Sequence, residues 1–489
     1  MKIMQHWLRT HAEQQPDLIA LISENRQFTY EQLYNESLQL AGQLREKGVK
    51  PGTHVAMAGH NSERYILLIH ALILLGAVIV PLNIRLTVAE IGQQIEFAEC
   101  NYFLCDDDIH DDHFITQQRH VYTFSDSIST EVDYSGSFTQ QSLSDTILLL
   151  FTSGTSGNPK CVELTYGNLF YSALGTKLRL AVSSRDTWLL SLPLYHIGGF
   201  SMLARTILYG IPLIVPASID TDGLISAIGR HDPSFVSLVP TMMKRFLERN
   251  LEANRSHKTV LLGGGPIPDG LLEQCAEYGW KIATTYGTTE TSSQIATRHA
   301  DDTRNTGSVG RPLPFNEIQI VDENTNEVPD GLEGEITVSS PVIMKGYYRR
   351  NDLTKQVLRD GRFHTGDYGY RSDSDYLYVV SRRSDLIVSG GENINPVEVE
   401  NVLSTHPDIR DVCVIPYTDA EWGEVPAAAI VSNKDAVTLE SIKQFLTGKI
   451  ASYKIPKIVF LCDALPYTST GKVQRDLVRK ECTRIGRFQ

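Results

Sequence analysis

Between residues 146 and 286 the chain alternates short apolar runs with longer amphipathic stretches. The runs at 147–151, 188–192, 211–215, 235–239, 260–262 and 282–285 are too short for buried helices and are rich in β-branched and aromatic residues, so each reads as a strand. The stretches between them, such as 240–249, keep their apolar residues on a helical period. Strands that are apolar throughout, separated by helices, predict an α/β fold with largely parallel sheets covered on both faces. Ligands in such sheets sit beyond the carboxyl ends of the strands. Three polar loops follow such ends: residues 152–160, 263–268 and 286–290.

Elsewhere the pattern changes. Residues 66–82 form the longest apolar run, but His70 interrupts it, Pro81 sits near its end, and it falls short of the roughly 20 residues that span a bilayer. A buried helix followed by a strand is expected there, and no membrane insertion. Residues 106–144, rich in Asp, Ser, Thr and Gln, read as a surface excursion. A charged break at 381–385 opens a new α+β pattern: a helix at 396–404, strands at 411–416 and 426–431, a helix at 439–451 and a last strand near Ile458. Two domains follow, 1–381 and 382–489, the second of roughly a hundred residues and so large enough to fold as a small domain.

Charge and cysteine usage narrow the function. A formal net charge of −13 gives no long-range attraction for nucleic acid or anionic membranes, so an anionic ligand must be held by local donors. Seven scattered cysteines without a CxxC pair argue against a disulfide framework or a zinc site and point to a reducing cytoplasm. Residues 1–15 lack the apolar core of a signal peptide. The sequence assigns no oligomeric state.

The sharpest chemical feature is the loop Thr152, Ser153, Gly154, Thr155, Ser156, Gly157, Asn158, Pro159, Lys160. Two glycines permit close backbone approach, four hydroxyls supply donors, and the lysine adds charge, which suits phosphate oxygens. It is no Walker A loop, because Pro159 breaks that spacing and a strand-like stretch follows. By composition alone a solvated Gly/Ser turn competes with this reading. A second loop, Tyr286, Gly287, Thr288, Thr289 and Glu290, pairs an aromatic face that can stack on a base with a carboxylate that can hold Mg²⁺. A third, at 466–472, ends in Lys472.

In this order the segments resemble the adenylate-forming superfamily of acyl-CoA synthetases, luciferases and peptide-synthetase adenylation domains, over nearly the whole chain. The resemblance implies a large N-terminal domain of layered sheets with a β subdomain, a small mobile α+β C-terminal domain, and ATP, Mg²⁺ and coenzyme A as ligands. It implies that residues 152–160 hold phosphates and that Gly264, Gly265 and Pro266 flank the adenine. It places the aromatic-His motif at Tyr195 and His196, with His196 among the catalytic and acid-binding residues. It assigns Asp367 and Arg382 to the ribose, Asp385 to the hinge, Lys472 to catalysis, and Thr152 with Glu290 to the metal. Ser156, Cys161 and Ser381 depart from the usual pattern without removing a catalytic group, and Cys161 reads as a packed small hydrophobe.

The acid pocket is read from residues 192–210, where Gly198, Ser201 and Arg205 fall on one helical face. On a pocket-lining face, Arg205 offers a fork for a second carboxylate on the substrate. Otherwise it is an arginine at a solvent-facing edge. Residues 192–210, 261–266 and 286–297 resemble the o-succinylbenzoate–CoA ligase family of menaquinone biosynthesis, with Gly198 standing where that family commonly has serine. Ser293 and Gln294 are further pocket candidates. Gly390 and Gly391 let a narrow pantetheine chain pass the backbone. A ligase for another aryl or medium-chain acid, an enzyme loading a carrier protein, and a nucleotide-binding regulatory protein remain alternatives.

Overall fold

The computed structural model describes residues 3–4, 6–24, 26–109, 120–126, 141–152, 160–253, 259–265, 267, 270–322, 324–381, 387–394, 396–432, 437–466, 473 and 475–485. The chain divides into two compact units. One comprises Met1–Ile84, Ile95–Leu150 and Cys161–Ser381, the other Arg85–Gln94, Phe151–Lys160 and Arg382–Gln489.

The first unit carries two largely parallel sheets. One has His54–Ala58, Val78–Pro81 and Tyr102–Cys105 side by side in parallel register. The other runs through Phe235–Leu238, Thr259–Leu262 and Ile282–Tyr286, also parallel. These central strands are buried along almost their whole length, which is why they read as continuous apolar runs. A third, antiparallel sheet pairs Glu317–Val321, Gly334–Ser339, Arg362–Arg371 and Leu377–Ser381. This is the α/β architecture with a β subdomain that the pattern of runs and the resemblance predict.

The long apolar run becomes the helix Glu63–Leu75 and the strand Val78–Pro81. Ser62 caps the helix by accepting from the Tyr65 amide, and Gly76, at φ 69°, ends it in the left-handed region that glycine enters without penalty. The helix is apolar on all sides because nearly every side is covered. Among the described residues no helix is long and apolar enough to cross a membrane.

The expected surface excursion is corrected in one respect. His120–Thr123 is a strand, and it extends the first sheet in parallel register with Tyr102–Cys105. Its side chains are exposed or half-buried, as an edge position requires, and polar stretches flank it in the sequence on both sides.

In the second unit, Ile409–Asp419 and Gly423–Ser432 form a long antiparallel hairpin, joined in parallel by Ile458–Leu461. The helix expected over 439–451 stops at Leu446, because Gly448 takes φ 78° and the chain turns there. A further helix, Arg475–Ile485, was not anticipated from the sequence.

Candidate active site

The strand Ile282–Tyr286 ends in the loop that carries most of the first unit's candidate residues. Tyr286, only 8% exposed, donates its hydroxyl to Asp367 Oδ2 at 2.6 Å, across 81 residues of sequence. A local irregularity aims the aspartate. The register between Gly334–Ser339 and Arg362–Arg371 shifts between Glu335 and Thr337, and Gly366 adopts φ 72° with its amide on Glu335 Oε1 at 3.0 Å. The Thr365 hydroxyl accepts from the Asp367 amide at 3.0 Å, which fixes the aspartate's backbone. A bulge of this kind turns one side chain out of the regular alternation. The result is a buried phenol and carboxylate side by side, suited to a nucleoside's ring and its vicinal hydroxyls.

Close backbone packing at the strand ends depends on glycine. A Cβ on Gly263 would lie 2.6 Å from Thr285 Cγ2, and one on Gly287 would lie 2.0 Å from the Ser293 carbonyl oxygen. Gly264 takes φ 81° and Gly265 follows it at the end of Thr259–Leu262. Gly287→Ala must therefore push residues 293–294 away from the loop. Such overpacking costs about 1–3 kcal/mol. Gly92→Ala, whose Cβ meets nothing within 4 Å, is the control. A lower melting temperature together with an activity loss of about tenfold is expected for the first variant and neither for the second. A Gly287→Ala enzyme with unchanged activity would show that the loop tolerates the shift.

Glu290 lies in the short 3-10 turn Thr289–Thr291, half-buried. Its Oε1 accepts the Tyr347 hydroxyl at 2.8 Å, and its carbonyl accepts the Met344 amide at 2.8 Å. Among the described residues it has no cationic partner. A carboxylate held by one neutral donor and facing no cation fits the single protein ligand that Mg²⁺ commonly takes beside a triphosphate. Thr288 keeps its backbone engaged with Thr291, while its own hydroxyl oxygen is buried without a partner, a donor available to a bound oxyanion.

The acid-side residues converge on the helix Ile197–Tyr209. His196 occupies its N-cap, edge-on to Tyr195 with ring centroids 4.7 Å apart. Gly199 packs so tightly that a Cβ would sit 2.0 Å from the Pro193 carbonyl oxygen. The preceding segment is clamped by Asn61, whose side chain donates to the Leu192 carbonyl at 2.9 Å and accepts from the Leu194 amide at 3.0 Å. One turn along, the Ser201 hydroxyl donates to the Gly198 carbonyl at 3.0 Å.

Arg205 is 1% exposed, which rules out the solvent-edge reading. Its Nη2 donates to Ser293 Oγ at 3.3 Å and its guanidinium lies 5.7 Å from the Trp188 ring. Nε is buried with no partner, and no carboxylate pairs with this arginine among the described residues. Burial pulls its pKa down to about 10, partly offset by Tyr209, so it remains a cation at neutral pH. A buried guanidinium held by one hydroxyl is suited to receive an anion.

Ser292 and Ser293 both take positive φ, 53° and 96°, a strained pair held from outside. Ser172 Oγ donates to the Ser292 carbonyl at 2.7 Å, and Ser292 Oγ to the Val342 carbonyl at 2.8 Å. Gln294 is fully engaged. Its carbonyl accepts from Thr176 at 2.7 Å and its amide donates to Thr285 at 2.9 Å and to Thr297 at 3.3 Å. Its side chain braces the loop that presents Ser293.

The second unit contains Thr152, Lys160, Gly390 and Gly391. The Thr152 hydroxyl faces the Lys160 carbonyl at 3.5 Å, and Lys160 is 7% exposed. Gly390 and Gly391, at φ 56° and 86°, form the two-residue turn of the hairpin Ile387–Ser389 and Glu392–Ile394, the conformation that favours two glycines. A Cβ on Gly390 would lie 2.5 Å from Trp422 Cε3, so the indole covers this backbone. Ser153, Gly154, Thr155, Ser156, Gly157, Pro266, Arg382, Asp385 and Lys472 lie outside the described residues. Cys161 is buried and its thiol pKa is pushed well up by desolvation, as a packed apolar residue requires.

Asn61 and Tyr347 were not anticipated as site residues. Neither stands in a motif, and each acts on a segment far away in sequence.

Comparison with known proteins bears on the same residues. Residues 8–348 match the family model described as AMP-binding enzyme, and residues 398–472 match the AMP-binding enzyme C-terminal domain. The chain is 39% identical over 484 residues to a 2-succinylbenzoate–CoA ligase of Bacillus cereus (strain Q1), covering 98% of this chain and 99% of that one. Among solved structures it is similar to a double mutant of the o-succinylbenzoate CoA synthetase of Bacillus subtilis bound with a product analogue, with TM-score 0.93, 34% identity, and 98% and 99% coverage. The same synthetase in complex with ATP and magnesium ion gives TM-score 0.76 at 34% identity, covering 98% of this chain and 100% of that one.

Proposed function

This chain belongs to the AMP-binding enzyme family, and from that premise we propose that it joins 2-succinylbenzoate to coenzyme A with conversion of ATP to AMP and diphosphate, a step of menaquinone biosynthesis. One carboxylate oxygen of the acid attacks the α-phosphorus and diphosphate leaves. The thiol sulfur of coenzyme A then attacks the acyl carbon of the adenylate, and AMP departs with the bonding pair.

The observation that carries the choice of acid is Arg205, a buried cation without a carboxylate partner among the described residues, beside Ser293. A purely aliphatic acid would leave that charge desolvated and unmatched. A substrate with two carboxylates supplies the partner while presenting its other carboxylate to ATP.

The remaining roles belong to the same reading. Tyr286 and Asp367 hold adenosine through base stacking and the ribose hydroxyls. Thr152, Ser153, Gly154, Thr155, Ser156, Gly157 and Lys160 wrap the phosphates, and Glu290 with Thr152 would hold Mg²⁺, which neutralises phosphate charge when bound. Residues 382–489 act as a separate small domain, moving about Asp385, that brings Lys472 to the adenylation step and the Gly390–Gly391 turn to the thioester step.

A panel of 2-succinylbenzoate, benzoate and octanoate, each with free coenzyme A and scored by AMP formation, tests the proposal. The expected order puts 2-succinylbenzoate first by about two orders of magnitude in kcat/KM. Preference for octanoate, or AMP release only with a carrier protein as acceptor, would assign a different acid or thiol.

A further inference from the structure

Apart from the substrate-site residues, the first unit contains a pocket of about 340 Å³ whose wall includes Arg179, Arg298, Arg304, Arg311, His299 and Tyr376. Four guanidiniums on one pocket are unexpected in a chain with 58 acidic residues against 45 lysines and arginines. Among the described residues none of the four pairs with a carboxylate.

The two acids in the wall are already engaged. Asp302 accepts the Tyr376 hydroxyl, the Asn305 amide at 3.2 Å and the Arg304 backbone amide at 3.2 Å. Asp301 lies 3.7 Å from Lys281 Nζ and 3.5 Å from His299 Nδ1.

Three of the four arginines are held in place by neutral acceptors. Arg179 Nη2 donates to the Pro312 carbonyl at 2.9 Å, and its Nε is buried without a partner. Arg298 Nε donates to Thr284 Oγ1 at 3.1 Å, and its Nη1 donates to the Asp302 carbonyl. Arg311 Nε donates to the Ser374 carbonyl at 3.0 Å, with its guanidinium 4.6 Å over the Tyr376 ring. Carbonyls and rings orient these groups; the carboxylates of Asp302 and Asp375 act on Arg298 and Arg179 only through space, without a direct ion pair among the described residues. The strain of that arrangement registers on Arg179, whose pKa is lowered first by burial and then by the neighbouring charge of Arg311.

Guanidiniums around a small hollow, three of them preoriented and none in a direct ion pair with a carboxylate among the described residues, are the arrangement that recognises planar or tetrahedral oxyanions. We propose that this pocket is a binding site for a small polyanion bearing phosphate or carboxylate groups, separate from the sites for ATP, acid and coenzyme A. Its volume exceeds what a single inorganic phosphate fills, which favours a small phosphate ester or polycarboxylate over a lone ion.

The test is calorimetric titration of the full chain with inorganic phosphate and, separately, with citrate, at two salt concentrations. Arg304 and Arg311 are both exposed, so the double substitution Arg304→Ala, Arg311→Ala leaves the core intact. It should weaken whichever probe binds by about tenfold or more, since hydrogen bonds to charged groups are among the stronger ones, while acid-dependent AMP formation stays unchanged. Lys160→Ala, in the phosphate loop, should leave the binding as it was. Response to phosphate alone or to citrate alone identifies which oxyanion the pocket prefers. Absence of saturable binding to the unaltered chain, or binding lost in Lys160→Ala and kept in the double variant, overturns the proposal.

Discussion

Replacing Lys472 by alanine is expected to slow acid-dependent diphosphate release by about 10²–10³-fold, the usual effect of removing one donor aimed at developing transition-state charge. The acid oxygen and the α-phosphate are both anionic as they approach, and the chain as a whole carries a formal charge of −13. A cation delivered to that point relieves the repulsion that remains beside the metal-bound phosphates. Thioester formation from synthetic acyl-adenylate involves no such approach of two anions, so the same variant should retain most of its rate in that half-reaction. Lys472→Arg should rescue only part of the first step, because the planar fork replaces a compact point charge. Equal losses in both half-reactions would remove Lys472 from the adenylation step.

The layers of the fold were legible in the sequence because central parallel strands are buried on both faces and so run nearly continuously apolar. Phe235–Leu238 and Thr259–Leu262 are buried at all four residues each and are apolar at three of them, with Ser237 and Thr259 the exceptions. Where burial is partial the signal weakens. His120–Thr123 reads as part of a loop because the strand is only four residues long and is flanked by polar stretches. The helix Arg475–Ile485 escaped notice because six of its eleven residues are charged, although Val478, Cys482 and Ile485 keep a helical spacing.

The site was legible to a different depth. The motifs around Tyr286 and Asp367 stand out, but nothing in the spacing foretells that their side chains lie 2.6 Å apart. That contact depends on the bulge opposite Glu335 and on the left-handed Gly366, both products of sheet pairing over long sequence distances. Asn61 and Tyr347 are invisible for the same reason. Gln294, two residues from the strained Ser292, shows the converse. A polar residue in a suggestive place braces the loop through three threonines, a set of partners no local spacing foretells.

Arg205→Leu is expected to lower kcat/KM for 2-succinylbenzoate by about a hundredfold, the scale at which a buried, hydrogen-bonded charge pair loses one partner, while barely changing the rate with benzoate. Stability should not fall with activity. Burial lowers the arginine's pKa from 12.5 to about 10. The unliganded fold therefore bears the cost of a desolvated cation at every pH below about 10, and relief begins only as pH rises through that value. At about 1.4 kcal/mol per pKa unit the cost is a few kcal/mol, comparable to the cavity that leucine would leave. The unliganded leucine variant should thus melt no lower than the unaltered chain, a rare outcome for truncating a side chain that is 1% exposed. Adding 2-succinylbenzoate with ATP should then raise the melting temperature of the unaltered chain and leave that of the variant almost unmoved. If both proteins gained equally from the acid, or the variant lost benzoate activity as severely, Arg205 would be a structural residue of the helix and the second carboxylate would bind elsewhere.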